Sequence, residues 1–393
     1  MVKKTENIEQ CYKKSIELLI NNSTSFGFLA ASKSKNAITR DYLSVFSRDI
    51  SICSLGALAS KNSKLQKTTR KSLETLAKHQ ASNGQIPNYV KIKNNYANFW
   101  YLGCIDATLW WLITLKFYGQ HADDGRKLLK TLDAKIKKAI QWLNCQKHPE
   151  DGLIMQNEAS DWADIMPRSG RVLYSNTLWH KINLLYKTKN YENSKKNFNA
   201  NFYPFDDKVK SKNICQTVTR QTILNNKKPT NYYLSFINYL FWGNDVDVYG
   251  NCLAVLFELP NKNLQKKIIN HLLNHKPNKN LPIPTLLNPI KTNSKLWREY
   301  MESYKQNFPY QYHNGGIWPY VSCFWAMTLA KAGKNKEAWQ ELEKIATINK
   351  VNNWQFNEWF HAKTGKPMGM PKQSWNAGAF LLAYHYLQQD IKF

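Results

Sequence analysis

The chain has 393 residues, long enough for two ordinary domains or one large helical toroid, and its hydrophobic content of 43% supplies a substantial core. No run of about 18 apolar residues occurs, which argues against a membrane span and a membrane partner. The formal net charge of +27 would suit nucleic acid. However, the lysines are dispersed through asparagine-rich connections, so we predict a solvated basic surface and no nucleic-acid partner.

The seven cysteines are widely spaced and form no Cys-x-x-Cys pair. This pattern predicts reduced, mostly buried thiols rather than a disulfide framework or a zinc site. Charged residues continue through the first segment up to Lys14, which contains no apolar signal core. We therefore expect a cytoplasmic protein.

Apolar residues recur at three-to-four-residue spacing along most of the chain, and several of these runs begin at Ser, Asn or Asp and end near Gly or Pro. This periodicity predicts an all-α fold. The predicted helices span residues 6–19, 42–59, 64–80, 99–119, 125–144, 172–186, 231–241, 249–259, 264–274, 316–331, 335–348 and 374–387. The short apolar piece 214–219 is also compatible with a strand, and no repeated β-hairpin pattern is present.

The connections between the predicted helices alternate between short turns and long loops that are rich in polar and aromatic residues. The long loops are 82–98, 147–171, 281–297, 309–315 and 350–372. This alternation indicates a ring of helical hairpins whose long loops build a pocket at one end. No linker divides the chain, so we predict one domain over 1–393. The Lys- and Asn-rich segment 191–228 is expected to be mobile or an insertion.

Glu358 lies within the aromatic run WQFNEWF at 354–360, and a loop rich in Gly and Pro follows it. A carboxylate that is merely buried among aromatic rings costs free energy. Its position is explained if the rings form a platform for a sugar and the carboxylate binds hydroxyl groups. A half-exposed Glu beside core aromatics is the alternative interpretation.

Two further groups of candidate residues lie at the heads of predicted helices. Arg48 and Asp49 open an apolar helix, and Asp106 lies in the aromatic run FWYLGCIDATLWW at 99–111. The polar turn ASNGQIP at 81–87 lies between them. Asp49 could instead cap its helix or pair with Arg48, and Asp106 could be a helix cap.

Two more groups lie in the predicted long loops. The run DWAD at 161–164 contains two acidic residues beside a tryptophan, and Asp161 could simply cap a turn. The run YHNGGIWPY at 312–320 contains His313, which could be structural, since nothing nearby supplies a matching nucleophile.

Two separated carboxylates in an aromatic pocket are what glycoside hydrolysis requires. One stays protonated and donates its proton to the leaving oxygen, whereas the other stays ionised and activates water or attacks directly. Trp162 could supply the apolar wall that raises the pKa of the nearby Asp164.

Together these motifs resemble the six-hairpin (α/α)6 glycoside hydrolases, in particular the glycogen-debranching (amylo-α-1,6-glucosidase) proteins and the neutral and alkaline invertases. The resemblance is carried by FSRD at 46–49, NGQIP at 83–87, IDATLW at 105–110, DWAD at 161–164, PR at 167–168, HNGGIWP at 313–319, NE at 357–358 and KQSWNAG at 372–378.

The resemblance implies an (α/α)6 toroid in which Asp164 is the general acid and Glu358 is the general base of an inverting reaction. Asp161 is a second candidate for the acid. Sugar-binding roles are implied for Arg48, Asp49, Asp106, Trp110, Asp161, Trp162, Arg168, His313, Asn314, Trp318, Gln373 and Trp375.

We therefore expect a hydrolase that releases a terminal glucose-like sugar from a small soluble α-glucoside, without a metal or cofactor. A sucrose-specific neutral invertase and an inactive carbohydrate-binding relative are the alternatives. A sugar epimerase would require paired catalytic histidines, for which His313 and His361 are the late candidates.

Overall fold

The computed structural model describes residues 5–100, 104–188, 191–206 and 214–393. This part of the chain is mainly helical, which confirms the all-α prediction. Its α-helices are α1 (Glu6–Asn21), α2 (Lys35–Thr39), α3 (Ser47–Ala59), α4 (Ser63–Lys78), α5 (Ile105–His121), α6 (Gly125–Thr131), α7 (Asp133–Cys145), α8 (Leu173–Tyr186), α9 (Ser194–Phe202), α10 (Ile214–Asn226), α11 (Val248–Leu256), α12 (Lys262–Asn274), α13 (Pro319–Lys331), α14 (Asn335–Trp354) and α15 (Ser374–Leu387).

Six of these helices form a closed inner ring in the order α3, α5, α8, α11, α13 and α15. Each packs against the next, and α15 packs back against α3. Every residue of α3 and of α11 is buried. A helix that is buried around its whole circumference belongs in the centre of a fold, because other helices surround it on every side.

A second layer of helices covers the inner ring. Helix α4 packs on α3, α7 on α5, α9 on α8, α12 on α11 and α14 on α13, while α1 packs on α14 and α15. These outer helices are amphipathic: α4 buries Leu65 and Leu73 on one face and exposes lysines on the other. The alternation of inner and outer helices is the predicted (α/α)6 toroid.

The described residues also contain four small antiparallel sheets, although the sequence shows no repeated β-hairpin pattern. Their strands have only two or three residues, too few to show an alternating apolar pattern in the sequence. They are β1 (Ser23–Thr24), β2 (Gly27–Phe28), β3 (Ser44–Phe46), β4 (Tyr89–Lys91), β5 (Tyr96–Asn98), β6 (Arg171–Val172), β7 (Phe236–Asn238), β8 (Phe241–Trp242), β9 (Trp359–Phe360) and β10 (Pro367–Met368). Strands β3 and β6 lead directly into the inner helices α3 and α8.

Two local predictions are wrong. The predicted helix 231–241 is the hairpin β7–β8, in which Tyr239 turns the chain with a φ of +44°. The candidate strand 214–219 is instead the beginning of α10. Both pieces are short and apolar, and periodicity cannot separate a helix from a strand at that length.

Several predicted boundaries also shift. The predicted helix 42–59 begins as β3 and becomes helical only at Ser47. The predicted helix 99–119 becomes helical at Ile105, and its residues 101–103 lie outside the described part.

The polar segment 191–228 is partly integrated into the toroid. It contains a 3-10 turn (Tyr191–Asn193), α9 and α10, whereas residues 207–213 lie outside the described part. Phe198 and Phe202 of α9 are buried, so this helix serves as an outer helix of the ring. The mobility of the segment stays a prediction.

Within the described residues, no helix combines the length and the apolar character that crossing a membrane requires. Most of the described cysteines are buried free thiols, as the sequence predicts. The buried ones are Cys11, Cys53, Cys104, Cys252 and Cys323, whereas Cys145 is exposed. The cytoplasmic location stays a prediction.

The ring closes through a direct contact between the backbones of α3 and α15. A Cβ atom added at Gly56 would overlap the carbonyl oxygen of Gly378, and one added at Gly378 would overlap the backbone of Cys53. Both glycines are therefore needed at this point because no side chain fits between the two helices.

We predict that Gly378→Ala destabilises the protein by about 1–3 kcal/mol, because the new methyl group forces two packed helices apart. Thermal or urea unfolding followed by circular dichroism measures this change. Gly119→Ala in α5 is the matched control, since its Cβ would meet only the movable end of the Leu129 side chain. Equal stability of the Gly378 variant and the wild type would contradict this account of ring closure.

Candidate active site

The second residue of each inner helix lies at one end of the ring. These residues are Arg48, Asp106, Tyr174, Tyr249, Tyr320 and Trp375. Arg48 Nη1 donates to Asp106 Oδ1 at 3.3 Å, and the Tyr174 hydroxyl donates to Asp106 Oδ2 at 2.9 Å. Asp106 Oδ2 also accepts the backbone N–H of Trp162 at 2.9 Å. The fully buried Asp106 thus ties three elements together.

The aromatic members of this set continue around the ring. Ring centroids are separated by 5.2 Å from Tyr174 to Tyr249, by 5.4 Å from Tyr249 to Tyr320, and by 4.1 Å from Tyr320 to Trp375. Such separations are typical of favourable aromatic pairs. The six second-position residues therefore form one continuous floor.

A pocket of about 240 Å³ lies above this floor. Drug-sized ligands typically occupy about 300–1,000 Å³, so this volume suits a single small ring. Eight of the site residues predicted from the sequence line the pocket: Arg48, Asp49, Trp162, Asp164, His313, Trp318, Glu358 and Trp375. They come from separate stretches of the chain that only ring closure brings together.

Glu358 precedes β9 and is held by two hydrogen bonds. The Tyr42 hydroxyl donates to Glu358 Oε1 at 2.6 Å, and the Met370 backbone N–H donates to Oε2 at 2.9 Å. Gly369 approaches the same carboxylate so closely that a Cβ atom there would overlap Oε2. Burial raises the pKa of Glu358, while these two donors partly offset the shift by stabilising the ionised form.

Asp164 lies in the loop between α7 and α8. Burial raises the pKa of Asp164 to about 7; Arg48 acts in the opposite direction, and the charges of Asp106, Asp161 and Glu358 add to the rise. The Tyr312 hydroxyl donates to Asp164 Oδ2 at a long 3.5 Å, which stabilises the ionised form only weakly. This carboxyl group is therefore available in its protonated form near neutral pH.

Asp49 is another carboxyl group at the pocket, and it is buried. Burial raises the pKa of Asp49 to about 7, against the lowering effect of Arg48 and with the help of the charges on Glu358 and Asp164. Arg48 Nε lies 3.8 Å from Asp49 Oδ2, too far for a hydrogen bond. Asp49 Oδ2 is buried without a hydrogen-bond partner in the described residues.

Other polar atoms of the pocket wall are also buried without a hydrogen-bond partner in the described residues. The buried indole nitrogens of Trp162 and Trp375, the Asn88 Oδ1 and the His313 Nδ1 have no hydrogen-bond partner among the described residues. Burial lowers the pKa of His313 well below its usual value, so its ring is neutral. Unpaired buried donors and acceptors are costly, and a ligand with several hydroxyl groups would satisfy them.

The aromatic rings of the pocket pack edge-to-face around Trp162. Its ring centroid lies 5.0 Å from that of His313 and 5.6 Å from that of Trp318. The Trp318 indole N–H donates to the Tyr312 carbonyl at 2.9 Å, which fixes the ring. These walls present apolar faces of the kind that pack against sugar rings.

The remaining predicted site residues do not line the pocket. Trp110 is fully buried below the floor, where its indole N–H donates to the Tyr174 hydroxyl at 2.8 Å. Asn314 is also fully buried and holds a loop through two 2.8 Å hydrogen bonds with the backbone of Ile290. Gln373 is buried at the start of α15, with both amide atoms unpaired in the described part.

Asp161 and Arg168 also lie outside the pocket, as does the floor residue Asp106. Arg168 Nη2 donates to Asp161 Oδ1 at 2.6 Å, and Gln156 Nε2 donates to Asp161 Oδ2 at 2.9 Å. Both oxygens of Asp161 are therefore engaged, which favours Asp164 over Asp161 as a proton donor.

Several residues that line the pocket were not predicted from the sequence. These include Arg40, Tyr42, Phe46, Asn88, Tyr89, Trp100 and Tyr312. Tyr42 is the most important omission because it donates to Glu358. Nothing near Tyr42 in the sequence points to a partner so far along the chain; its only local signal is its position just before the FSRD motif.

No group of three or more His, Cys, Asp or Glu side chains within the described ranges is arranged to hold a metal ion.

Residues 179–390 match a sequence family described as alkaline and neutral invertase. Over 151 residues the chain is 28% identical to alkaline/neutral invertase C, mitochondrial, of Arabidopsis thaliana. That match spans 36% of this chain and 22% of the plant protein.

Solved structures share the fold. A mannosylglycerate hydrolase from Thermus thermophilus in complex with glucose superposes with a TM-score of 0.66 at 13% identity, covering 95% of this chain and 99% of that one. A glycosidase variant in complex with glucose gives a TM-score of 0.62 at 12% identity, with 97% of each chain covered. Because the family match extends over more than half of the chain, this protein belongs to the alkaline and neutral invertase family.

Proposed function

We propose that this enzyme hydrolyses the terminal glycosidic bond of a small soluble α-glucoside, with Asp164 as the general acid and Glu358 as the general base. The observation that carries the proposal is the presence of two carboxyl groups, the buried Glu358 and the half-buried Asp164, with different surroundings in one small pocket. Pairs of carboxyl groups whose environments separate their protonation states can act as acid and base.

Asp164 suits the acid role because its burial favours the neutral form, and because the Tyr312 hydroxyl is too distant to stabilise the ionised form strongly. In the reaction its proton moves to the leaving oxygen as the glycosidic C–O bond breaks. The product alcohol thus leaves neutral.

Glu358 suits the base role because two short hydrogen bonds stabilise its ionised form despite burial. Its carboxylate takes a proton from a water molecule whose oxygen forms the new bond to the anomeric carbon. This division of roles gives inversion at that carbon, which proton NMR of the first-formed sugar anomer would reveal.

The sugar itself would be held by the unpaired polar groups of the wall. Asp49, with Arg48 beside it, offers a free carboxylate oxygen to ring hydroxyls, and Trp162 and Trp375 offer indole N–H donors. The small volume of the pocket favours one terminal ring over a long chain.

Sucrose is a second specific candidate substrate, because the sequence family is described as alkaline and neutral invertase. The mannosylglycerate hydrolase likeness supports glucosylglycerate as another member of the test set. Glucose release should be measured from sucrose, isomaltose, trehalose, glucosylglycerate and a branched dextrin. Sugar binding by calorimetry without any release would support an inactive carbohydrate-binding relative instead.

We predict that Asp164→Asn and Glu358→Gln each lower kcat on the best of these substrates by about 10²- to 10⁴-fold, the usual contribution of one general acid or base. Steady-state release of glucose measures the effect, and circular dichroism checks the fold. Asp133→Asn, which alters an exposed carboxylate paired with Lys137, is the matched control and should retain full activity. Wild-type rates in both site variants would refute the assignment.

The pH profile of kcat/KM should be bell-shaped. Activity should fall as the pH rises through about 7, because Asp164 loses its proton, and as the pH falls through the raised pKa of Glu358. α-Glucosyl fluoride needs little acid assistance, so with this substrate Asp164→Asn should keep the acidic limb and lose the alkaline limb. An unchanged alkaline limb in that variant would assign it to another group, such as Asp49.

A further inference from the structure

Arg168 occupies a position that sugar binding does not explain. It is 5% exposed and lies between two carboxylates that are 2% and 0% exposed, Asp161 and Asp247. Its Nη2 donates to Asp161 Oδ1 at 2.6 Å and its Nη1 donates to Asp247 Oδ2 at 3.2 Å. None of these three residues lines the pocket.

Arg168 thus bridges Asp161 and Asp247. The Asp161 end of this ionic bridge lies in the segment that carries the proposed acid, Asp164. Asp161 Oδ1 accepts the backbone N–H of Ala163 at 2.9 Å, which fixes the turn between Asp161 and Asp164. The backbone N–H of Trp162 is bound by Asp106 on the floor. We call residues 161–164 the acid loop; two buried carboxylates therefore set its conformation.

The other end of the bridge is rigid. Asp247 caps the inner helix α11, where its Oδ1 accepts the backbone N–H of Gly250 at 3.0 Å. Its backbone also pairs with that of Leu286 in an isolated β-bridge. A side chain bound to Asp247 is thereby anchored to the inner ring.

We propose that Arg168 is a positioning residue for the reaction, which holds the acid loop against α11 so that Asp164 reaches the leaving oxygen. This role rests on the proposed function of Asp164. Arg168 is suited to it because the planar guanidinium can bind two carboxylates at once in fixed directions. A lysine has a single ammonium group and cannot bind two carboxylates in the same fixed directions.

Arg168 also balances the charge beneath the pocket. Its guanidinium carbon lies 5.7 Å from the ring centroid of Trp162 and 5.6 Å from that of Tyr174, so it packs under the pocket wall as a cation. Since Asp161 is one of the charges that act on Asp164, neutralising it limits the repulsion between the two carboxylates.

Substrates whose leaving groups differ in their need for a proton can separate three possible roles of Arg168: positioning the acid, binding the sugar and stabilising the fold. Arg168→Lys should be assayed on α-glucosyl fluoride and on the panel glucoside with the highest wild-type turnover. We expect kcat on the glucoside to fall by about 10- to 100-fold with KM little changed, since a small displacement of a catalytic group costs on this scale. Turnover of the fluoride should stay within about threefold of wild type, because its departure needs little protonation.

Arg171→Lys is the matched control. Arg171 forms a comparable, largely buried ion pair with Asp151. Within the described part of the chain, no hydrogen bond or ion pair joins these two side chains to the acid loop. In Arg171→Lys, the change in kcat relative to wild type should be the same for the glucoside and for α-glucosyl fluoride. Asp247→Asn keeps the shape of the anchor but weakens the bridge, and it should show a smaller version of the Arg168→Lys effect.

The outcomes separate this proposal from the proposed function. If Arg168→Lys loses the same fraction of kcat on both substrates, or raises KM with kcat unchanged, the positioning role is wrong. The proposed function would still stand in that case, provided that the wild type turns over the glucoside and Asp164→Asn shows the expected loss. If Asp164→Asn itself shows no leaving-group dependence, the acid assignment fails, and the role of Arg168 fails with it. Selective loss on the glucoside in Arg168→Lys would support both.

Discussion

The close approach of α15 to α3 is the contact on which the candidate active site depends. Residues near the two ends of the chain become neighbours only when the last inner helix packs on the first, and the paired glycines allow the backbones to touch. Without this contact, Arg48 and Asp49 would not share a pocket with Glu358 and Trp375. The site is therefore a tertiary property of the closed ring, since no single hairpin contains both proposed catalytic carboxyl groups.

Several acidic side chains surround one small pocket, where the ionised form of a carboxyl group is costly. Asp49 and Glu358 are buried and Asp164 is half-buried around one cavity, with Arg48 as the nearby buried cation. Their pKa values rise because burial penalises the ionised forms, and neighbouring carboxylates add to the rise for Asp49 and Asp164. Such an arrangement works against folding at neutral pH, so the aromatic core of the ring must supply the stability that the site lacks.

The helical ring and the main pocket residues could be predicted from the sequence because their signals are local: long apolar periodicity, and carboxylates within aromatic runs. The prediction was wrong for the β7–β8 hairpin, because its strands are too short to show an alternating pattern of apolar and polar residues. Tyr42 was missed because its hydrogen bond to Glu358 spans most of the chain. The motif singled out Arg168 but did not show that its side chain lies outside the pocket between Asp161 and Asp247, since a motif reveals which residues are present and not which way a buried side chain faces.

The floor residues all occupy the same register, the second position of an inner helix. One end of the toroid thus offers six equivalent anchor points, and the loops that precede them shape the pocket above. A change in loop length or composition leaves the anchors where they are, because these are set by helix packing. The framework and the pocket therefore reside in separable parts of the chain, which gives evolution a way to alter the ligand that is accepted without rebuilding the ring.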